Sequence, residues 1–441
     1  MKKFLVLLMI LIGISTSFLL GTYWYYQYYF DPQPPQPTLK VEGVAVTPLS
    51  YNWRSSFISK VLYKDFEYSR PEGVADLGVL NGGLFDAGLE SNAAMAGNLD
   101  VSIIDDSGIV IWNGQDFSFP DRMITKNGYY KITVNLVYPE TEDGDYGSFV
   151  FSASFKAYFE PKIATSLTEV AQGDTFVINI YDMQENPDLS INAGTDTDGT
   201  PIMAVFTNTG DSSAEAIIGV THDRPLGEYH VLVSCDDSEW DMTYTVTAGT
   251  FERQNLKVDT SNPQITEANS PAAYEQFRQK IYPLYETADT QRYWSGQFAR
   301  PVDWDASNCH ISTTYGIFRY TNNNPTPRRH PAIDIAAPRG TSVLAPNAGR
   351  VVFAEYLLNT GNTLVIEHGG GLKSYFYHLI SIDVSPDDMV VKGQKVAAVG
   401  NTGYSTGPHL HYETRVGRQS VNPMLLMDGS GALFNLWESE L

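Results

Sequence analysis

The sequence predicts a mainly β protein. It would carry an N-terminal membrane anchor, two β-sandwich-like modules, a helical connector and a C-terminal antiparallel β domain. Three observations predict this. Runs rich in β-branched and aromatic residues recur from about Lys40 to Val258, separated by Gly-, Asn- and Asp-bearing turns. One apolar run of 17 residues, Phe4–Leu20, opens the chain. Six of the eight histidines fall between His310 and His411, where function concentrates.

The length of 441 residues sets a prior of two to four domains at roughly 100–200 residues each. Hydrophobic residues make up 43% and charged residues 18%, enough apolar surface for packed cores rather than disorder. The 27 tyrosines suit β structure. The net charge of −22 is uneven: from Pro301 onward ten Lys and Arg face twelve Asp and Glu, which leaves 19 against 39 in the first 300 residues. An acidic front argues against nucleic-acid binding, which needs a basic footprint. Cys235 and Cys309 have no C-x-x-C spacing, so they are not a Cys-type zinc site. They read as two buried thiols or as one bridge.

Residues 1–30 read as an anchor or signal. Lys2 and Lys3 precede the apolar run, and Tyr23, Trp24, Tyr25, Tyr26, Tyr28 and Tyr29 follow it. Lysines inside and an aromatic belt outside predict one spanning helix with the bulk of the chain exported. No small-x-small cleavage site is evident, which favours an anchor over a cleaved signal. Residues 31–39 are a proline-rich, stiff spacer.

Residues 40–161 read as β module 1, with KITVNLVY and SFVFSASFKAYF as strands and NGG, DDSG, KNG and EDGD as turns. Residues 162–258 read as β module 2, Ig-like. NGYYKITVNL and LGEYHVLVSC each place Gly, then Tyr two residues on, before a strand, as at the tyrosine corner of Ig-like sandwiches. His222 and His230 stand alone there and are expected to be structural. Residues 259–295 read as a helical connector: Ser270 is the N-cap, Pro271 the first helical residue, and Tyr274, Phe277, Ile281 and Leu284 follow a 3–4 spacing. Pro283 should kink or end the helix.

Residues 296–441 hold the chemistry. RRHPAIDIAAPRGT places His330 and Asp334 four apart. Pro331 and the Ile333/Ile335 alternation argue for an extended segment, on which these two residues share a face. His409 and His411, two apart in PHLHYE, also share a face. Together they offer a His/Asp/His set, three ligands that leave a tetrahedral position open, as catalytic zinc requires. His378, in SYFYHL, and the remaining His of the pair are candidates for proton transfer.

These segments, with VVKGQKVAAVGNTGYSTGPHLHYE, resemble the lysostaphin/LytM-type zinc peptidases that cut bacterial cell walls. The resemblance covers about Tyr293–Met427. It implies one Zn2+ on His330, Asp334 and His411, with His378 and His409 as the catalytic, non-ligand histidines. It implies an antiparallel β fold with the site in a groove, and peptide cross-links of peptidoglycan as substrate. The expected function is therefore a zinc-dependent peptidoglycan endopeptidase of the cell envelope, held at the membrane by its N-terminal segment. The alternative is a non-catalytic or latent regulator or scaffold of the same fold, with one of Asn322, Asn323 or Asn324 closing the metal. Two departures stand out: Ala332 replaces a common Gly, and Phe376 a common Tyr. His368 and His310 are expected to be structural.

Overall fold

Helix α1 (Lys2–Tyr29) is longer than the apolar run read from the sequence. It continues through the aromatic cluster because nothing there breaks a helix, and it stops just ahead of Pro32. Its 28 residues extend about 42 Å, and by length and composition it is able to cross a membrane. The computed structural model describes residues 2–58, 60–71, 73–81, 85–90, 97–120, 123–210, 212–305 and 308–434. Gly82 and Gly83 of the expected NGG turn lie outside them. Contacts divide the chain into two compact units, Met1–Glu160 and Pro161–Leu441.

The first unit holds a seven-stranded sheet and a three-stranded sheet. The long strands Gly128–Tyr138 and Tyr146–Tyr158 pair antiparallel along eleven residue pairs. Their alternating buried positions, among them Ile132, Val134, Phe151 and Phe155, pack on Leu39, Val41 and Trp53.

The second unit begins with two four-stranded sheets packed face to face over Phe176, Ile178, Ile218, Val231 and Tyr244. The tyrosine signature proves physical. The Tyr229 hydroxyl donates to the Pro225 carbonyl at 2.8 Å, and in the first unit the Tyr130 hydroxyl donates to the Lys126 carbonyl at 3.0 Å. Each tyrosine ties its strand back to the preceding turn. Strand β1 (Arg253–Leu256) follows, then helices α2 (Pro263–Ala268) and α3 (Pro271–Tyr285). Ser270 caps α3 by accepting from Ala273 N, and Pro271 takes the first turn as expected. The helical texture read through Trp294 ends at Tyr285, two residues past Pro283. Pro283 removes one backbone donor and clashes one turn upstream, so the helix does not outlast it by a full turn. Neither cysteine is bonded: Cys235 is buried and Cys309 half-buried.

The last part is an antiparallel sheet. Six of its eight strands are β2 (His310–Thr313), β4 (Ile333–Ala336), β8 (His409–Val416), β7 (Leu372–Leu379), β6 (Gly361–Gly369) and β5 (Gly349–Leu357), in that spatial order. Strand β3 (Phe318–Thr321) sits in a separate small sheet with β1. The core beneath includes Ile333, Ile335, Leu364, Phe376, Leu410 and Tyr412. The front sandwich is fastened to it. Tyr315 accepts from His222 N and donates to the Ser420 carbonyl, Asn422 N donates to the Gly173 carbonyl, and Arg292 faces Glu215 across 3.4 Å. The Arg329 guanidinium lies between the Phe251 and Phe318 rings. His222 is thus structural, a buried member of this seam.

His368 is structural too. Its Nδ1 donates to the Ala348 carbonyl at 2.8 Å and its Nε2 meets Ser374 Oγ at 2.9 Å. Burial pushes its pKa down to about 4, opposed by the Ala348 carbonyl and reinforced by Lys373. The unfolded chain takes a proton on this ring near pH 6.5, roughly its free value. The folded chain resists until about pH 4. Stability should therefore fall as pH drops through that window, by about 3 kcal/mol from this group. A His368→Gln variant should lose that part of the slope. Urea midpoints at a series of pH values read it, and an unchanged slope would contradict the assignment.

Candidate metal centre and its groove

The site is built on one rung of the sheet. Asp334 on β4 pairs with His411 on β8, and His411 pairs with Tyr377 on β7. Residues paired across adjacent strands point to one face, so the three side chains converge. His330, just ahead of β4, points into the same place. Its Nε2 is 3.2 Å from Asp334 Oδ1 and 3.2 Å from His411 Nδ1, and His411 Nδ1 is 2.9 Å from Asp334 Oδ1. His330, Asp334 and His411 form a group able to hold a metal.

The donor set fits such an ion. Tetrahedral bonds of zinc to nitrogen and oxygen place neighbouring donors about 3.3 Å apart. The separations here are 2.9–3.2 Å. Three acceptors meeting at that distance repel unless a cation or a proton lies among them. Asp334 is buried; burial alone would raise its pKa, yet His330 and His411 hold it well below the usual carboxylate range. Burial pushes His411 down, favouring the neutral imidazole that ligation needs.

His378 and His409 flank this group, their rings 4.8 Å apart. Strict alternation along β7 would put His378 on the opposite face from Tyr377. The backbone prevents that: His378 has φ +63°, and the ladder skips register beside it. A left-handed non-glycine residue inside a bulge turns the ring back toward the site. Gly400 permits the turn, since a Cβ there would lie 2.4 Å from Ile380 N and 2.6 Å from the His378 carbonyl. His378 Nδ1 donates to the Thr402 carbonyl, and His409 Nδ1 donates to the Gly407 carbonyl at 2.9 Å. In the neutral rings each Nε2 therefore keeps a free lone pair. Burial first, then the neighbouring His409 and His411, push His378 well below its ordinary pKa.

Behind the group, Tyr377 stacks on His411 at 5.0 Å, and Glu413 Oε2 stands 4.0 Å from His411 Nε2. Glu413 is paired with the enclosed Arg415. In front is an open groove of about 770 Å³, walled by Phe277 and Tyr282 of α3, Leu256 of β1, Asp198 of the front sandwich, Tyr404 and Arg418.

The remaining histidines stay out of the site. His230 is exposed beside Asp241, and His310 is exposed at the start of β2. Phe376 is buried against Tyr412 in the core. The Asn322 side chain is bonded to the Val258 backbone, and Asn324 Oδ1 accepts from Thr326 N. Glu413 and Arg319 were not singled out from the sequence. Only strand pairing shows what Arg319 reaches.

Residues 328–423 match the family described as Peptidase family M23. The DD-carboxypeptidase/endopeptidase Mpg of Neisseria meningitidis serogroup B is 41% identical over 114 residues, 26% of this chain and 26% of that protein. The peptidoglycan DD-endopeptidase ShyA of Vibrio cholerae is 41% identical over 127 residues, 28% of each. An uncharacterized metalloprotease of Buchnera aphidicola is 38% identical over 113 residues, 26% of this chain and 30% of that one. The chain thus spans under a third of the length of these relatives. Among solved structures, a putative peptidase M23 from Pseudomonas aeruginosa aligns at 22% identity over 60% of this chain and 95% of that one, with a TM-score of 0.43. The catalytic domain of lysostaphin from Staphylococcus simulans aligns at 29% identity over 27% and 93%, with a TM-score of 0.25.

Proposed function

Residues 328–423 form a domain of peptidase family M23, and on that premise we propose that this protein is a zinc-dependent endopeptidase that hydrolyses peptide cross-links of peptidoglycan. The observation that supports the reading best is the convergence of His330 Nε2, Asp334 Oδ1 and His411 Nδ1 on one point of an open groove, with two further histidines beside them. Relatives named peptidoglycan DD-endopeptidases support peptidoglycan as the substrate.

His330, Asp334 and His411 would hold the ion. A divalent metal there supplies Lewis acidity, polarising the scissile carbonyl and lowering the pKa of water toward about 7. The protein's own groups do the rest. His378 and His409 each present an unprotonated Nε2. One takes the proton of the attacking water and passes it to the leaving amine; the other, carrying a proton from solvent, donates a hydrogen bond to the tetrahedral oxyanion and keeps that proton. The carbonyls of Thr402 and Gly407 fix both tautomers, since a carbonyl only accepts. The α3 aromatics and the sandwich edge exclude water from one side of the groove. Helix α1 would anchor the chain in the cytoplasmic membrane, Lys2 and Lys3 inside, placing the enzyme in the cell envelope.

The test incubates the full chain with purified peptidoglycan, with and without a chelator. The expected result is new amino termini that vanish with chelator and return with zinc. Unchanged peptidoglycan from a zinc-loaded chain would turn the reading toward a non-catalytic regulator.

A further inference from the structure

The matched family domain does not contain all of the groups that hold its metal ligands. Asp334 offers Oδ1 to His330 and His411, while its other oxygen, Oδ2, accepts from Arg319 Nη2 at 2.9 Å. The same Nη2 reaches Thr313 Oγ1 at 3.3 Å. Arg319 Nε donates to Gln254 Oε1 at 3.2 Å. Gln254 lies on β1, which runs parallel to β3 and sets Gln254 directly beside Arg319. Strand β1 is the segment that leaves the front sandwich, more than 70 residues ahead of the matched region. Arg319 and Asp334 are both largely withdrawn from water, with side chains 22% and 10% exposed. A charge-assisted bond in such a place is strong, and a planar guanidinium fixed at both Nε and Nη2 cannot swivel.

We propose that Arg319 is a positioning residue. It pins Asp334 Oδ2 so that Oδ1 alone serves as metal ligand, and Gln254 orients Arg319 from outside the family domain. The metal site is therefore completed by the strand that follows the second β module. This rests on the metalloenzyme reading above. The sign of the effect is informative. By charge alone, removing a cation near a divalent metal would tighten binding, because the repulsion is lost. Weaker binding therefore reports positioning.

The experiment measures the zinc dissociation constant of the full chain by competition with a chromophoric chelator, with thermal midpoint and circular dichroism as controls for folding. Arg319→Met should weaken binding about 10–100-fold, the range for partners of metal ligands. Arg319→Lys keeps the charge but not the fork and should restore only part of it. Gln254→Leu should weaken binding several-fold, whereas Gln254→Glu, which keeps the acceptor, should stay near the parent. Parental or tighter binding in a folded Arg319→Met variant overturns the proposal. Should that variant fail to fold, equal affinities for Gln254→Leu and Gln254→Glu overturn it instead. A parent chain that binds no zinc removes the metalloenzyme reading and this inference together; a parent that binds zinc with indifferent variants removes this inference alone.

Discussion

His411→Ala is expected to release the metal and to bring peptidoglycan cleavage to background. The imidazole would supply one of three donors; the two left, His330 Nε2 and Asp334 Oδ1, are 3.2 Å apart, and His409 Nε2 stands farther off, 3.9 Å from Asp334 Oδ1. Glu413 cannot replace it, because that carboxylate is behind the ring and paired with Arg415. Two controls give the result its meaning. His378→Ala and His409→Ala remove no ligand, so they should keep zinc while losing on the order of 10²–10⁴ in kcat, the range for general acid–base groups. Metal content by mass spectrometry and release of new amino termini are the two readouts. If His411→Ala kept both, the ligand assignment would be wrong. If His378→Ala lost the metal, the division between ligands and proton carriers would be wrong.

Lys373→Met should destabilise the second unit by about 3–5 kcal/mol, the cost of leaving a buried charge without its partner. Lys373 and Glu367 are both almost wholly withdrawn from water, with Nζ 2.6 Å from Oε2. Lys373 Nζ also donates to the Thr287 carbonyl of the connector at 2.5 Å. Glu367 accepts in addition from Gly369 N and Gly371 N, holding the turn between β6 and β7. Burial already pushes the Glu367 carboxyl up, against the pull of Lys373. Without the lysine that carboxyl escapes by keeping a proton, so the loss should deepen as pH rises. Adding Glu367→Gln should recover most of it, because the amide oxygen still accepts from the two glycines and no charge remains. Chemical unfolding of the two variants at pH 5 and pH 8 checks this. A loss under 1 kcal/mol at both values, or no recovery in the double variant, would sink the account. Activity should follow stability here, since β7 carries Lys373 at one end and His378 at the other.

Much was legible from the order of residues alone. The mainly β class followed from alternating β-branched and aromatic runs, and the capped start of α3 from Ser270-Pro271. That His330 and Asp334 share a face, and His409 and His411 another, followed from spacing on extended segments, because a period of two places i, i+2 and i+4 on one face; the choice of His411 over His409 came only with the family resemblance. Residue order also flagged the two tyrosines that tie strands back to their turns. What it left undecided depends on contacts between distant parts of the chain. His378 faces the site only because its backbone is left-handed within a bulge, and alternation would have turned it away. Arg319 reaches Asp334, and Gln254 reaches Arg319, through a parallel pairing between strands more than 60 residues apart. The fastening of the front sandwich to the C-terminal sheet likewise arises from interlocked surfaces: Tyr315 under His222, Arg329 between two phenylalanines. Local pattern specifies which face a side chain takes. Only the folded chain specifies what stands opposite that face, because the partner is chosen by packing and not by proximity in sequence.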